Sequence, residues 1–137
     1  HGTGGRVVMF HGSCLCGAIG LTIDAPLKDP IACHCKQCRQ QSGHYFSAVP
    51  APKSALHVTG DTNLKWFRAS DIASRGFCRV CGSTLFWRPD DGRTIMVASA
   101  ALDTPTGLRL SGHYWCDHKG DYYAIPDALP RYQGDSK

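Results

Sequence analysis

The sequence predicts a mainly-β domain. Three observations carry that reading: short stretches of β-type residues recur between Gly, Pro and Asp punctuation, only one segment has helical character, and repeats or low-complexity tracts are absent. The β-type stretches, in order, are "RVVMF" (6–10), "AIGLTI" (18–23), "YFSAVP" (45–50), "ALHVTG" (55–60), "LKWFRA" (64–69), "STLFWR" (83–88), "TIMVASA" (94–100) and "HYWC" (113–116). "PDDGR" (89–93) reads as the hairpin turn between two of them. "CKQCRQQS" (35–42) is the helical segment, with about two turns. Pro126 and Pro130 mark a final turn before the tail. Phe77, Leu85, Phe86, Trp87, Trp66 and Phe67 are expected to pack in the core or on a sheet face.

The 137 residues suit one domain, and 42% apolar content is enough for a core. Residues 1–5, "HGTGG", read as an expression scar or frayed terminus, which leaves 6–137 as a single domain. No apolar run approaches the roughly 18 residues of a membrane span, and no signal-like segment opens the chain. A cytoplasmic protein with no membrane partner is therefore expected. The formal charge of +4 is spread without a basic run, as in the mixed-sign "RASDIASR" and "RPDDGR". Two divalent ions with seven bound thiolates would bring it to about +1, which leaves no electrostatic footprint for nucleic acid.

Eight cysteines decide the chemistry. Cys14-Leu15-Cys16 and Cys33-His34-Cys35 are Cys-x-Cys pairs, too close for an easy bridge, yet able to present both thiols on one side of extended chain. That pattern favours metal over disulfides. "SCLCG" (13–17) and "FCRVCGS" (77–83) each end their cysteine pair with glycine, which can turn the backbone tightly around a bound thiolate. Cys14, Cys16, Cys78 and Cys81 together make a four-thiolate zinc site that would tie the two sheets.

The middle cluster, "ACHCKQCRQQSG" (32–43), supplies only Cys33, Cys35 and Cys38. Three protein ligands with an open place is the pattern of a working zinc site. A fourth ligand from Cys116, His34, His44 or His113 would instead close it, and the residues alone leave both arrangements standing. Three thiolates make zinc a weak Lewis acid, so an open place suits a soft thiolate better than a hydrolytic water.

"GSCLCG", "CHCKQCR" followed by "SG", "RGFCRVCGSTLF" and "GHYWCDHKGDYYAIPDALPRY" together resemble the glutathione-dependent formaldehyde-activating enzyme (GFA) family, in order from about Val8 to Gly134. The resemblance implies a zinc-stapled β-tent, the fold of a Rab-exchange-factor-like zinc protein. It implies a structural zinc on Cys14, Cys16, Cys78 and Cys81 and a catalytic zinc on Cys33, Cys35 and Cys38, the latter prone to loss or oxidation. The implied activity is a carbon–sulfur lyase or synthase joining glutathione to formaldehyde as S-(hydroxymethyl)glutathione. Arg39 and Arg75 are candidates to dock the carboxylates of such a thiol. Cys116 and the Tyr122–Tyr123 pair depart from the usual family pattern. The competing reading is a zinc-stabilised protein-interaction module without catalysis.

Overall fold

The computed structural model describes residues 9–135. The expected scar at 1–5, and residues 6–8 of the first β-type stretch, lie outside the described residues. Ten strands and one α-helix follow in the order β1 (Phe10–Ser13), β2 (Gly20–Ile23), β3 (Ile31–Cys33), α1 (Lys36–Ser42), β4 (Phe46–Pro52), β5 (Leu56–Thr59), β6 (Leu64–Arg68), β7 (Ala73–Cys78), β8 (Thr84–Pro89), β9 (Thr94–Ala98) and β10 (His113–Tyr114). No helix among the described residues is long and apolar enough to cross a membrane. The mainly-β reading and the single short helix at the middle cluster both hold.

Several boundaries differ from expectation. β1 begins where "RVVMF" ends, because its pairing with β2 runs from Phe10 opposite Ile23 to Ser13 opposite Gly20. β10 stops at Tyr114, since Trp115 has a positive φ of 58° that breaks extended geometry. β3 is three residues long and β7, "ASRGFC", has little β-propensity. β7 is held as a strand by antiparallel ladders on both sides, to β6 and to β8.

The strands form two sheets, a small one ordered β1-β2-β5 and a large one ordered β10-β3-β4-β9-β8-β7-β6. Among the described strands one pair is parallel: β10 runs alongside β3, with His113 opposite Ala32 and Tyr114 opposite Cys33. The main core lies between the sheets. Ile19, Leu21 and Ile23 from the β2 side meet Val49, Leu85, Phe86, Ile95 and Val97 from the large sheet. A bulge opposite Gly76 and Phe77 leaves one extra residue on β8, which lets the consecutive Leu85 and Phe86 both enter that core. Each such buried side chain contributes roughly 1.5–3 kcal/mol relative to exposure.

Part of the opposite face of the large sheet is buried too. Phe46 and Ala48 of β4 and Ala98 of β9 alternate away from the main core and pack with Cys38, Cys33 and Cys35. α1 and the middle cysteine cluster therefore sit on one side of the large sheet, and the small sheet sits on the other. On β7, Arg75 falls in the cross-sheet row of Phe67, Trp87 and Met96, away from the core, whereas Cys78 is part of the core.

Candidate metal centres

The first centre gathers Cys14, Cys16, Cys78 and Cys81, whose sulfurs all lie within 4.8 Å of one another. Cys14 follows β1, Cys16 lies in the turn beyond it, and Cys78 ends β7. The glycines do what the sequence predicts: Gly17 and Gly82 adopt φ of 79° and 81°, and Gly82 N–H donates to the Cys78 carbonyl at 2.8 Å. The Cys14–Cys16 and Cys16–Cys78 sulfur separations are 3.7 and 3.8 Å. A tetrahedral ion with metal–sulfur bonds of about 2.3 Å requires edges of about 3.8 Å, so the donor set fits such an ion.

Backbone amides complete the surroundings. Ile19 N–H points at Cys14 Sγ (3.3 Å), and the Val80 and Cys81 amides at Cys78 Sγ (3.3 and 3.5 Å). Ser83 links the two arms: its Oγ accepts from the Leu15 amide at 3.0 Å and lies 3.1 Å from Cys81 Sγ. That hydroxyl holds the Cys81 thiol down to about 5.

The second centre gathers Cys33, Cys35 and Cys38, again within 4.8 Å. Cys33 ends β3, Cys35 is the N-cap of α1, and Cys38 is buried in its first turn. Capping explains the helix start: Cys35 Sγ accepts the Cys38 amide at 3.4 Å, satisfying a donor that a helix end otherwise leaves free. The three thiols perturb one another strongly. Cys33, then Cys38, hold Cys35 down to about 2, while the same contacts push Cys33 far above its ordinary range.

No fourth His, Cys, Asp or Glu among the described residues joins this group. The candidates that the sequence offered are engaged elsewhere. His34 is fully buried; its Nδ1 meets Tyr123 Oη at 2.7 Å and its Nε2 meets His113 Nδ1 at 2.9 Å. His113 Nε2 in turn meets the Asp127 carboxylate at 3.0 Å. Burial, then the neighbouring His113, holds His34 down to about 4. His44 packs against Tyr45 and Tyr123, and Cys116 lies on the turn beyond β10. Tyr123 and Asp127 were not anticipated; only their position in the C-terminal motif hinted at them.

The two arginines have different fates. Arg39 Nε donates to the carbonyls of His34 (3.3 Å) and His118 (3.0 Å), joining the cysteine loop to the segment after β10. Arg75 is buried, and its Nη2 reaches Cys38 Sγ at 3.4 Å. It is therefore not a surface charge. Beside it, a cleft of about 270 Å³ is lined by Gln37, Gln40, Gln41, Phe67, Ala69 and Arg75.

A two-sheet frame carrying one four-membered and one three-membered sulfur cluster defines a protein whose cysteines could hold metal ions. Comparison with known proteins narrows that class. The glutathione-dependent formaldehyde-activating enzyme family matches residues 9–118, and the chain belongs to this family. An uncharacterized lyase of Schizosaccharomyces pombe is 33% identical over 95 residues, covering 68% of this chain and 67% of that protein. A Rhodobacter sphaeroides protein of known crystal structure has the same fold, with a TM-score of 0.61 at 23% identity over 88% of this chain and 98% of that one. Family and relative together support a lyase role.

Proposed function

We propose that this protein is a zinc-dependent carbon–sulfur lyase that reversibly joins a small thiol to an aldehyde, with glutathione and formaldehyde as the default pair. The observation that carries the reading is the second cluster: three thiols meet with no fourth protein ligand among the described residues. Zinc there would supply a fourth position able to take a soft thiolate and hold it beside the aldehyde. Cys33, Cys35 and Cys38 are the proposed ligands of this catalytic zinc; Cys14, Cys16, Cys78 and Cys81 are those of a structural one.

In the reaction the thiol sulfur bonds to the carbonyl carbon and the thiol proton ends on the carbonyl oxygen. No oxidation is involved. The chain's own part is orientation. Cys35 caps α1 and Cys38 is locked in its first turn, while the buried His34 between the first two ligands is fixed at both ring nitrogens. The adjoining cleft beside Arg75 gives room for the tail of a small thiol. Seven ligand thiols fit a reducing compartment, in keeping with the cytoplasm. The interaction-module alternative expects a second centre closed by protein, and no residue among the described ones joins it.

The test is thiol–aldehyde exchange measured by NMR on protein loaded with zinc, beside Cys35→Ser. Exchange rate rather than yield is the readout, because the spontaneous reaction reaches the same equilibrium. Acceleration that disappears in the variant supports the reading. Two bound zincs without acceleration overturn it.

A further inference from the structure

Arg75 is 6% exposed, and among the described residues no carboxylate lies within ion-pair distance of it. Leaving a buried cation without an anion is costly, by far more than a single hydrogen bond returns. Its three bonds are to Gln37 Oε1 (Nε, 3.3 Å), Gln41 Oε1 (Nη1, 3.1 Å) and Cys38 Sγ (Nη2, 3.4 Å). The glutamines, one helical turn apart on α1, orient the guanidinium without neutralising it. Of its three partners, only the sulfur can carry negative charge.

We propose that Arg75 is the counter-ion of the three-thiol centre and sets that centre's preference for an anionic thiolate as its fourth ligand. The inference rests on the reading above, that the centre takes a divalent metal and leaves one place open. Three thiolates on such an ion sum to −1, which Arg75 cancels. A thiolate entering the fourth place then brings the assembly to −1; without Arg75 it would reach −2 in a partly dry site. A neutral ligand meets no such difference. Arg75 is thus a positioning residue that discriminates by charge, and it needs no contact with the substrate.

Cobalt(II) reports this directly, because its visible and sulfur-to-metal bands shift when the fourth ligand changes. Cobalt-loaded wild type, Arg75→Met and Arg75→Lys would each be titrated with 2-mercaptoethanol, which binds as a thiolate, and with imidazole, which binds neutral. Arg75→Met is expected to weaken thiolate binding about tenfold or more while changing imidazole binding less than about twofold. Arg75→Lys, which keeps the charge and loses the fork, should recover most of the thiolate affinity. Equal loss for both ligands, or no loss for either, overturns the proposal.

Should Arg75→Met fail to hold its first cobalt, Arg75→Gln provides the same comparison with a polar side chain. The underlying reading fails separately: wild type would then bind no more cobalt than Cys35→Ser does.

Discussion

Removing one hydroxyl, in Tyr123→Phe, tests the buried polar chain behind the second centre. Asp127 as a carboxylate can only accept, so His113 Nε2–H donates to it at 3.0 Å. The Tyr123 hydroxyl accepts from the Gly120 amide and gives its own proton to His34 Nδ1 at 2.7 Å, so His34 Nε2–H donates to His113 Nδ1 at 2.9 Å. Every proton points the same way along the chain, from Tyr123 to Asp127. His34 is fully buried, so water cannot readily replace the lost donor. An unsatisfied buried acceptor costs about 1–3 kcal/mol, and Tyr123→Phe should lose that much stability in chemical denaturation with metal in excess. Tyr122→Phe is the control, since its exposed hydroxyl makes only a 3.5 Å contact with the Gly43 carbonyl and should cost almost nothing. Long-range nitrogen NMR reads the His34 tautomer independently. A loss under about 0.5 kcal/mol, or the His34 proton found on Nδ1, would refute the ordering.

Two further outcomes follow from the same geometry. Metal counting by elemental analysis should find two ions in wild type and in Cys116→Ser, because Cys116 belongs to neither cluster, and one in Cys35→Ser. Acid should weaken the fold through His34, whose folded value of about 4 lies below the ordinary imidazole value of about 6.5. The unfolded chain then takes the proton first, so this contribution is intact above about pH 6.5 and is lost as pH falls towards about 4, at most about 3 kcal/mol in all. Denaturation midpoints across that window, compared with those of His34→Gln, check the slope.

The thiol chemistry was legible because cysteine spacing speaks locally. Cys-x-Cys and Cys-x-x-Cys pairs closed by Gly17 and Gly82 need only short-range geometry to face a common point. The short helix could be read for the same reason: its cap is one of the cysteines. β7 could not be read, because "ASRGFC" becomes a strand through neighbours at both edges rather than through its own residues. The role of Arg75 was hidden for a related reason. Nothing near it in sequence marks it as buried; only the seven-stranded sheet brings it against Cys38, 37 positions away. The histidines misled in the opposite sense, since His34 and His113 have the chemistry of ligands and spend it on each other.

β7 also explains why the two centres can differ in charge within one small fold. It ends in Cys78, a member of the first cluster on the core face, and three residues earlier it presents Arg75 to the second cluster on the opposite face. A closed four-thiolate centre around a divalent ion carries −2 and never has to admit another anion. Its compensation is dipolar: amides of Ile19, Val80 and Cys81, fixed by the loops that hold the cysteines. Amide dipoles suffice there because the charge does not change. A centre that admits and releases a thiolate meets a full unit of charge at each exchange, and a fixed cation one sulfur away is the cheaper way to keep that step close to balanced. Loosening the first centre would therefore reach the second through β7, because the strand that anchors Cys78 also holds Arg75 at its 3.4 Å contact with Cys38.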